Sequence, residues 1–220
     1  MTTHSFLEQI WIARHVLLSG LGMSVSISLL AILAGTGLGV VVGLALVYGH
    51  RVVRFVVRAY TDIIRGTPVL VLVLASYYVS SAVGLDLGPF SAGILALAVF
   101  CSSHVGEIVR GALLAIPKGQ TEAAKAIGLT FAQTFTSVLW PQAMRQCLPA
   151  WVNTAAEMVK ASTLLSVIGV AELLLRTQEI ISRNFMSLQF YCLAGGLYFL
   201  VNFGIERFGK FVERRTALPS

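Results

Sequence analysis

Residues 16–49 contain no Asp, Glu, Lys, Arg or His. A helix needs about 20 predominantly apolar residues to cross a bilayer, and this run is longer than that. A helix of a soluble domain keeps a polar face for water, and this one has no charge to offer. The run also exceeds the roughly 7–15 apolar residues of a cleavable signal peptide. It therefore reads as a first membrane span, at about 21–47. Composition extends the reading to the whole chain: 56 % of the 220 residues are hydrophobic and 12 % charged, about half the charge of an ordinary soluble domain. In that setting a net charge of +6 speaks for Lys and Arg anchoring one set of loops, not for nucleic acid. Cys101, Cys147 and Cys192 are too widely spaced for a metal motif or a disulfide framework.

Four further spans are predicted, at about 68–83, 90–112, 150–175 and 188–205, making an all-α integral membrane fold of five transmembrane helices. Residues 1–15 carry Trp11, Arg14 and His15, which suit the headgroup zone. In the first span Gly35, Gly39 and Gly43 recur every fourth residue, a stripe along which another helix can approach closely. Residues 50–65 place Arg51, Arg54, Arg58 and Arg65 among apolar residues and read as an amphipathic cytoplasmic helix leading into the second span. GLDLGP at 84–89 is a polar turn, 175–187 a second external loop, and 206–220 a charged tail. Five spans put the chain ends on opposite sides. With the N-terminus outside, only Arg14, Arg176 and Arg183 of the 16 Lys and Arg residues fall outside. The positive-inside rule thus places the loop at 117–149 in the cytoplasm.

That loop is the longest amphipathic segment. Residues 122–129 read as a short helix: Ala123, Ala124 and Ala126 favour it, Glu122 suits its positive N-terminal end, and Gly128 suits its stop. A second turn is expected over 131–139, with Pro141 and Pro149 breaking the chain twice. A polar helix-loop-helix held between spans offers a surface for another protein to grip. Within the spans, Phe100, His104 and Glu107 share a face of the third, and Asn153, Glu157 and Lys160 a face of the fourth, with Ser162 nearby. Ionisable groups at membrane depth mark function by default, so these seven are the candidate substrate path. For Glu107 an ion pair with Arg110 or another helix is the structural alternative, and for Glu157 a pair with Lys160. No second His or Cys stands at metal-ligand spacing.

Glu122-Ala123-Ala124, Gly128, Val138, Trp140 and Pro141 fit the spacing EAA-x3-G-x9-I-x-L-P, with Val138 and Trp140 in place of Ile and Leu. The chain resembles the permease subunits of ABC importers, which carry this motif in a cytoplasmic loop. RGTP at 65–68, GEIVRGA at 106–112, KGQ at 118–120, PQAMRQCLP at 141–149 and SVIGVAELL at 166–174 resemble the polar amino-acid, histidine/glutamine permease-like branch. The resemblance covers roughly 20–215 and implies one transmembrane domain over 1–220. It implies a multi-pass protein of the bacterial inner membrane, paired with a second permease copy or paralogue. Further partners would be two ATP-binding subunits and an extracytoplasmic solute-binding protein. Glu122, Ala123, Ala124, Gly128 and Pro141 would couple to the ATPase. The chain has no GxxxxGK[ST] phosphate loop, so it is expected to bind no cofactor and to catalyse nothing, with ATP and Mg²⁺ in the partner subunits.

Two departures bear on substrate. Many members read N-x3-Y-x2-E where this chain has Phe100, His104 and Glu107, and KDTSL where it has Lys160-Ala161-Ser162-Thr163-Leu164. Phe100 and His104 bring bulk, stacking and a titratable group, suited to a modified or cationic amino acid. Within the importers, an opine, osmolyte, metal or phosphonate permease is the second reading. A secondary carrier lacks a use for the amphipathic loop and shows no inverted repeat. A membrane hydrolase using Ser102 or Ser103 with His104 is disfavoured, because helix neighbours in sequence do not face each other.

Overall fold

The computed structural model describes residues 5–216, and within them every regular element is a helix. Residues 1–4 of the N-terminal segment and 217–220 of the expected tail lie outside the described residues. The helices are α1 (Phe6–Tyr48), α2 (Arg51–Gly66), α3 (Val69–Ala82), α4 (Pro89–Ala115), α5 (Lys118–Ala126), α6 (Phe131–Thr134), α7 (Trp140–Ala161), α8 (Leu173–Asn184) and α9 (Ser187–Thr216). Three of them, α1, α4 and α9, are each long and apolar enough to cross a membrane. The number rises to five if two bent pairs each count as one span.

At 43 residues α1 is about 65 Å long, so it tilts or projects beyond a hydrocarbon core of about 30 Å. Its partner is α4, the most enclosed of the spanning helices, and the glycine stripe is the reason. A Cβ on Gly35 would lie 2.5 Å from Cys101 Cβ, one on Gly39 2.6 Å from Val105 Cβ, and one on Gly43 2.7 Å from Val109 Cβ. Gly106 returns the fit from α4, where a Cβ would stand 2.4 Å from Val42. Without a hydrophobic driving force in lipid, close backbone approach of this kind holds helices together.

The first bent pair is α2 with α3, which meet at 109°. Thr67 makes the corner: its N–H donates to Ile64 O at 3.3 Å and its hydroxyl to Ile63 O at 2.7 Å, closing α2. Pro68 then caps α3 with φ −57°, a value its ring fixes. So α2 lies across the spans as the amphipathic segment at 50–65 predicts. With 14 residues, α3 is about 21 Å long and does not cross alone. Ser76 Oγ ties it to α4 through Ala92 O at 2.9 Å.

The second bent pair corrects three expectations. Pro141 and Pro149 do not break the chain: a π-helical turn at Phe135–Leu139 runs into α7, Pro141 sits in α7's first turn and Pro149 lies inside the helix. A π turn absorbs one residue of mismatch and shifts the i→i−4 ladder immediately before Pro141, which accommodates the donor that proline lacks. Second, α7 narrows to a 3₁₀ turn at Ser162–Ile168 and stops at Gly169, whose φ is +85°. Third, 175–187, expected as an external loop, is not irregular. It is largely helix α8, bent by 53° from the helix before it, with Leu173, Thr177 and Ile180 buried. Likewise the tail from Glu206 is helical as far as Thr216, continuous with α9.

Glu172 starts α8, accepting from Leu175 N at 2.8 Å. It is fully buried, and the sequence reading passed over it. Ser24 of α1 donates to its Oε2 at 3.2 Å, Tyr198 of α9 donates to the same oxygen, and Leu173 N donates to Ser24 Oγ at 3.1 Å. One carboxylate thereby joins α1, α8 and α9. A glutamate three residues after a left-handed glycine in an apolar run was the available signal.

Candidate functional site: a docking loop and a polar helix face

The loop after α4 is built from two complementary stop signals. At the end of α5, Leu129 N donates to Ala124 O and Gly128 N to Lys125 O, both at 3.0 Å, with Gly128 at φ +84°. This is a Schellman closure, which places glycine in the left-handed conformation. Two residues on, Thr130 starts α6 by a capping box: Gln133 N donates to Thr130 Oγ1 at 3.3 Å and Thr130 N to Gln133 Oε1 at 2.9 Å. The T-x-x-Q spacing is legible in sequence and was overlooked. Helix α5 begins at Lys118, four residues before the expected start, because Pro117 with φ −57° serves as its N-cap. Glu122 consequently lies mid-helix and not at its positive end. Ala124 is buried against the loop, while Glu122, Ala123, Ile127, Gly128 and Phe131 are exposed. Tyr48 of α1 braces the loop, with its ring 5.4 Å from Phe131 and 5.8 Å from Phe135. The exposed face is thus small, partly apolar and rigidly backed. Pro141 is exposed in α7, beyond the π turn.

Of the candidate path residues, the structure brings some together and assigns others elsewhere. The rings of Phe100, which is buried, and His104 lie tilted at 44° to each other on α4 with centroids 4.3 Å apart. His104 Nδ1 is 3.0 Å from Phe100 O, which fixes the ring. Ser103 does come within 3.3 Å of His104 Nδ1, closer than neighbours on a helix were expected to be. Its buried hydroxyl donates to the same carbonyl at 2.8 Å, so the two form no nucleophile–base pair. On α7, Asn153, Glu157 and Lys160 are all exposed, whereas their flanking residues Val152, Ala156 and Val159 are buried. Glu157 and Lys160 form none of the ion pairs among the described residues. The buried side of α7 packs beside α4, with Ala155 and Met158 in one buried cluster with Phe100 and Cys101. Ser162 is buried, with its hydroxyl on Val159 O at 2.8 Å. Its hydroxyl thereby serves the start of the 3₁₀ turn.

Glu107 also has other work. Its Oε1 accepts from Arg58 at 2.8 Å, and its Oε2 from Arg110 at 2.9 and 2.7 Å. Both oxygens are taken, which is the structural alternative stated above, and the Arg58 pair ties the crosswise α2 to α4. Arg58 is 40 % exposed and Glu107 12 %. Solvent screening of the arginine keeps Glu107→Gln below the cost of breaking a fully buried pair, at about 1–3 kcal/mol. Protease or cysteine-labelling access should rise within α2 of that variant and stay unchanged in α9. Equal protection of α2 in both proteins would show that the pair does not hold it.

Comparison with known proteins follows this geometry along the whole chain. Residues 35–218 match the family described as "binding-protein-dependent transport system inner membrane component". The glutamine transport system permease protein GlnP of Escherichia coli K12 is 34 % identical over 211 residues, covering 95 % of this chain and 96 % of that protein. The L-cystine transport system permease protein TcyB of Bacillus subtilis 168 is 33 % identical, covering 91 % of this chain and 86 % of that one. In three dimensions, the crystal structure of an amino acid ABC transporter with histidines contains a chain that superposes with a TM-score of 0.89. It is 32 % identical and covers 97 % of this chain and 100 % of its own. The loop at 117–149 and both polar stripes lie within the matched region, and the chain belongs to the family of binding-protein-dependent transport system inner membrane components.

Proposed function

We propose that this chain is the membrane-spanning permease of an ATP-driven amino-acid importer. Its relatives carry glutamine and cystine permease names, and its fold follows that of an amino acid ABC transporter. The observation that carries the mechanism is the loop 117–149. Among helices otherwise packed together, α5 exposes Glu122, Ala123 and Gly128 on a closed, capped turn. An ATP-binding subunit docks there, one under each of two permeases, with ATP and Mg²⁺ in those subunits. Closure of the ATP sites pulls the two loops together, and the spanning helices rock about the α4–α7 face.

On that face the half-buried His104 supplies an aromatic edge backed by the buried Phe100, and Asn153, Glu157 and Lys160 supply the polar groups that lipid would not tolerate. An amino acid carries both charges that Glu157 and Lys160 complement. The basic residues cluster on the side of α5, so that side is cytoplasmic. The solute-binding protein delivers from the opposite face of a bacterial inner membrane.

Purification of the chain from native membranes should bring down an ATP-binding subunit, with ATPase activity stimulated by an amino acid and its binding protein. A chain that comes out alone would overturn the reading. In the assembled complex, Glu157→Gln and His104→Ala should each lower transport at least about ten-fold, the worth of one lost charge-assisted contact, with assembly unchanged. Full transport in both variants would move the path away from this face.

A further inference from the structure

Opposite the polar stripe, α7 turns Val152, Ala155 and Val159 into an apolar cavity of about 410 Å³, closed by α1 and α9. Ile32 of α1 and Gly204 and Phe208 of α9 line it, and Ser28 is among its few polar neighbours. The position of the groove follows from helix periodicity: Asn153, Glu157 and Lys160 recur at i, i+4 and i+7 on one side, while the groove residues recur at i, i+3 and i+7 on the far side. Polar groups at membrane depth must face protein or water. The groove therefore opens away from that side, toward the bilayer. Helix α9 agrees, since only 11 % of its apolar window is buried within the chain.

The end of the groove is charged, and the charges are sorted. Below Phe208, Arg207, Lys210 and Arg214 line one surface with Phe211, and the Arg215 guanidinium lies 4.8 Å over the Phe211 ring. Glu206 and Glu213 turn the other way, toward Pro149 and Asn153 of α7, with Lys210 between the two sets. Helix α4 runs toward α5 and α7 runs back from it. The C-terminal part of α9 meets α7 at the start of the fourth span, where a Cβ on Gly209 would lie 2.5 Å from Val152; this end therefore lies on the same membrane face as α5. An apolar groove that opens to lipid and ends at arginines on the membrane surface fits one kind of molecule.

We infer that the groove between α1, α7 and α9 holds an acyl chain of an anionic phospholipid, whose phosphate is met by Arg207, Arg214 and Arg215. A second copy of this chain fits less well: about a two-fold axis α9 would meet α9, and the same arginines would repel each other. The site needs only that the chain spans a bilayer, so it does not depend on the transport role proposed above.

The test uses the assembled complex in nanodiscs doped with photoactivatable phosphatidylglycerol or phosphatidylcholine carrying the same diazirine acyl chain. Phosphatidylglycerol should label residues 151–159 or 201–208 about ten-fold more than phosphatidylcholine, each arginine near an anionic headgroup contributing a several-fold preference. Arg207→Gln with Arg214→Gln and Arg215→Gln should erase that preference without touching the groove. Gly204→Leu should lower labelling by both lipids, since a Cβ there meets nothing within 4 Å and the larger side chain grows into the cavity. Equal labelling by the two lipids, labelling indifferent to Gly204→Leu, or crosslinks from Ile205 to a second copy of the chain would each overturn the assignment.

Discussion

Gly128→Val should uncouple the permease from its ATP-binding subunit while leaving the spans intact. Gly128 sits at φ +84°, and a Cβ there meets no atom within 4 Å. Any effect therefore comes from the backbone and not from a clash. An L-residue pays about 1–2 kcal/mol in the left-handed region, and a β-branched one sits at the upper end. Relieving that strain opens the paired bonds Leu129 N to Ala124 O and Gly128 N to Lys125 O, which fix the angle between α5 and α6. A penalty of that size depopulates the closed turn by roughly 5- to 30-fold, and amino-acid-stimulated ATPase activity should fall with it. Gly128→Asn is the discriminating control, because asparagine tolerates this conformation and should keep most of the activity. If valine and asparagine are equally inactive, the partner subunit excludes any side chain here. If both are fully active, the turn is not what couples the subunits.

The loop illustrates what the sequence carried and what it did not. Gly128 and the alanines announced a short helix and its stop, because such signals are local and depend on residue type alone. The start of α5 was misplaced, since Glu122 was read as an N-terminal acid when Pro117 already supplied the cap. Pro141 and Pro149 were read as breaks by the same local rule. It failed because a π turn and packing against α4 sustain the helix through both. Residues 175–187 were read as loop from their mixed polarity, yet Glu172 caps α8 and the apolar side of α8 meets α1. That pairing joins residues far apart in sequence, so no local window shows it. Glu107 was separable into substrate ligand or ion pair only once α2 was seen lying across α4. The polar face of α7 was legible as a stripe, but not the packing of its buried side beside Phe100. Ser162 looked available until its hydroxyl was found closing its own turn.

The glycine stripe of α1 was legible as a packing surface, and it supports a test whose outcomes separate sharply. Gly39→Leu should abolish recovery of folded protein in detergent, whereas Gly37→Leu, two residues away and with nothing within 4 Å of its Cβ, should behave like the parent. Even Gly39→Ala places a Cβ 2.6 Å from Val105 Cβ and 3.0 Å from Ser102 O, so α1 and α4 must separate. Overpacking by one carbon costs about 1–3 kcal/mol, to be read as a lowered thermal midpoint of the assembled complex. The clash is with Val105 Cβ itself. Val105→Ala therefore leaves it in place and should not rescue Gly39→Ala, but Val105→Gly removes it and should recover much of the loss in a double-mutant cycle. Additive losses for Gly39→Ala and Val105→Gly would mean that the two helices do not meet along this stripe. The consequence reaches the polar face, since Gly35 bears on Cys101 as Gly39 bears on Val105, and Cys101 adjoins Phe100 in α4. A separation of α1 from α4 carries Phe100 and His104 with it. Gly35→Ala should accordingly impair amino-acid uptake more than Gly39→Ala does for a comparable loss of stability.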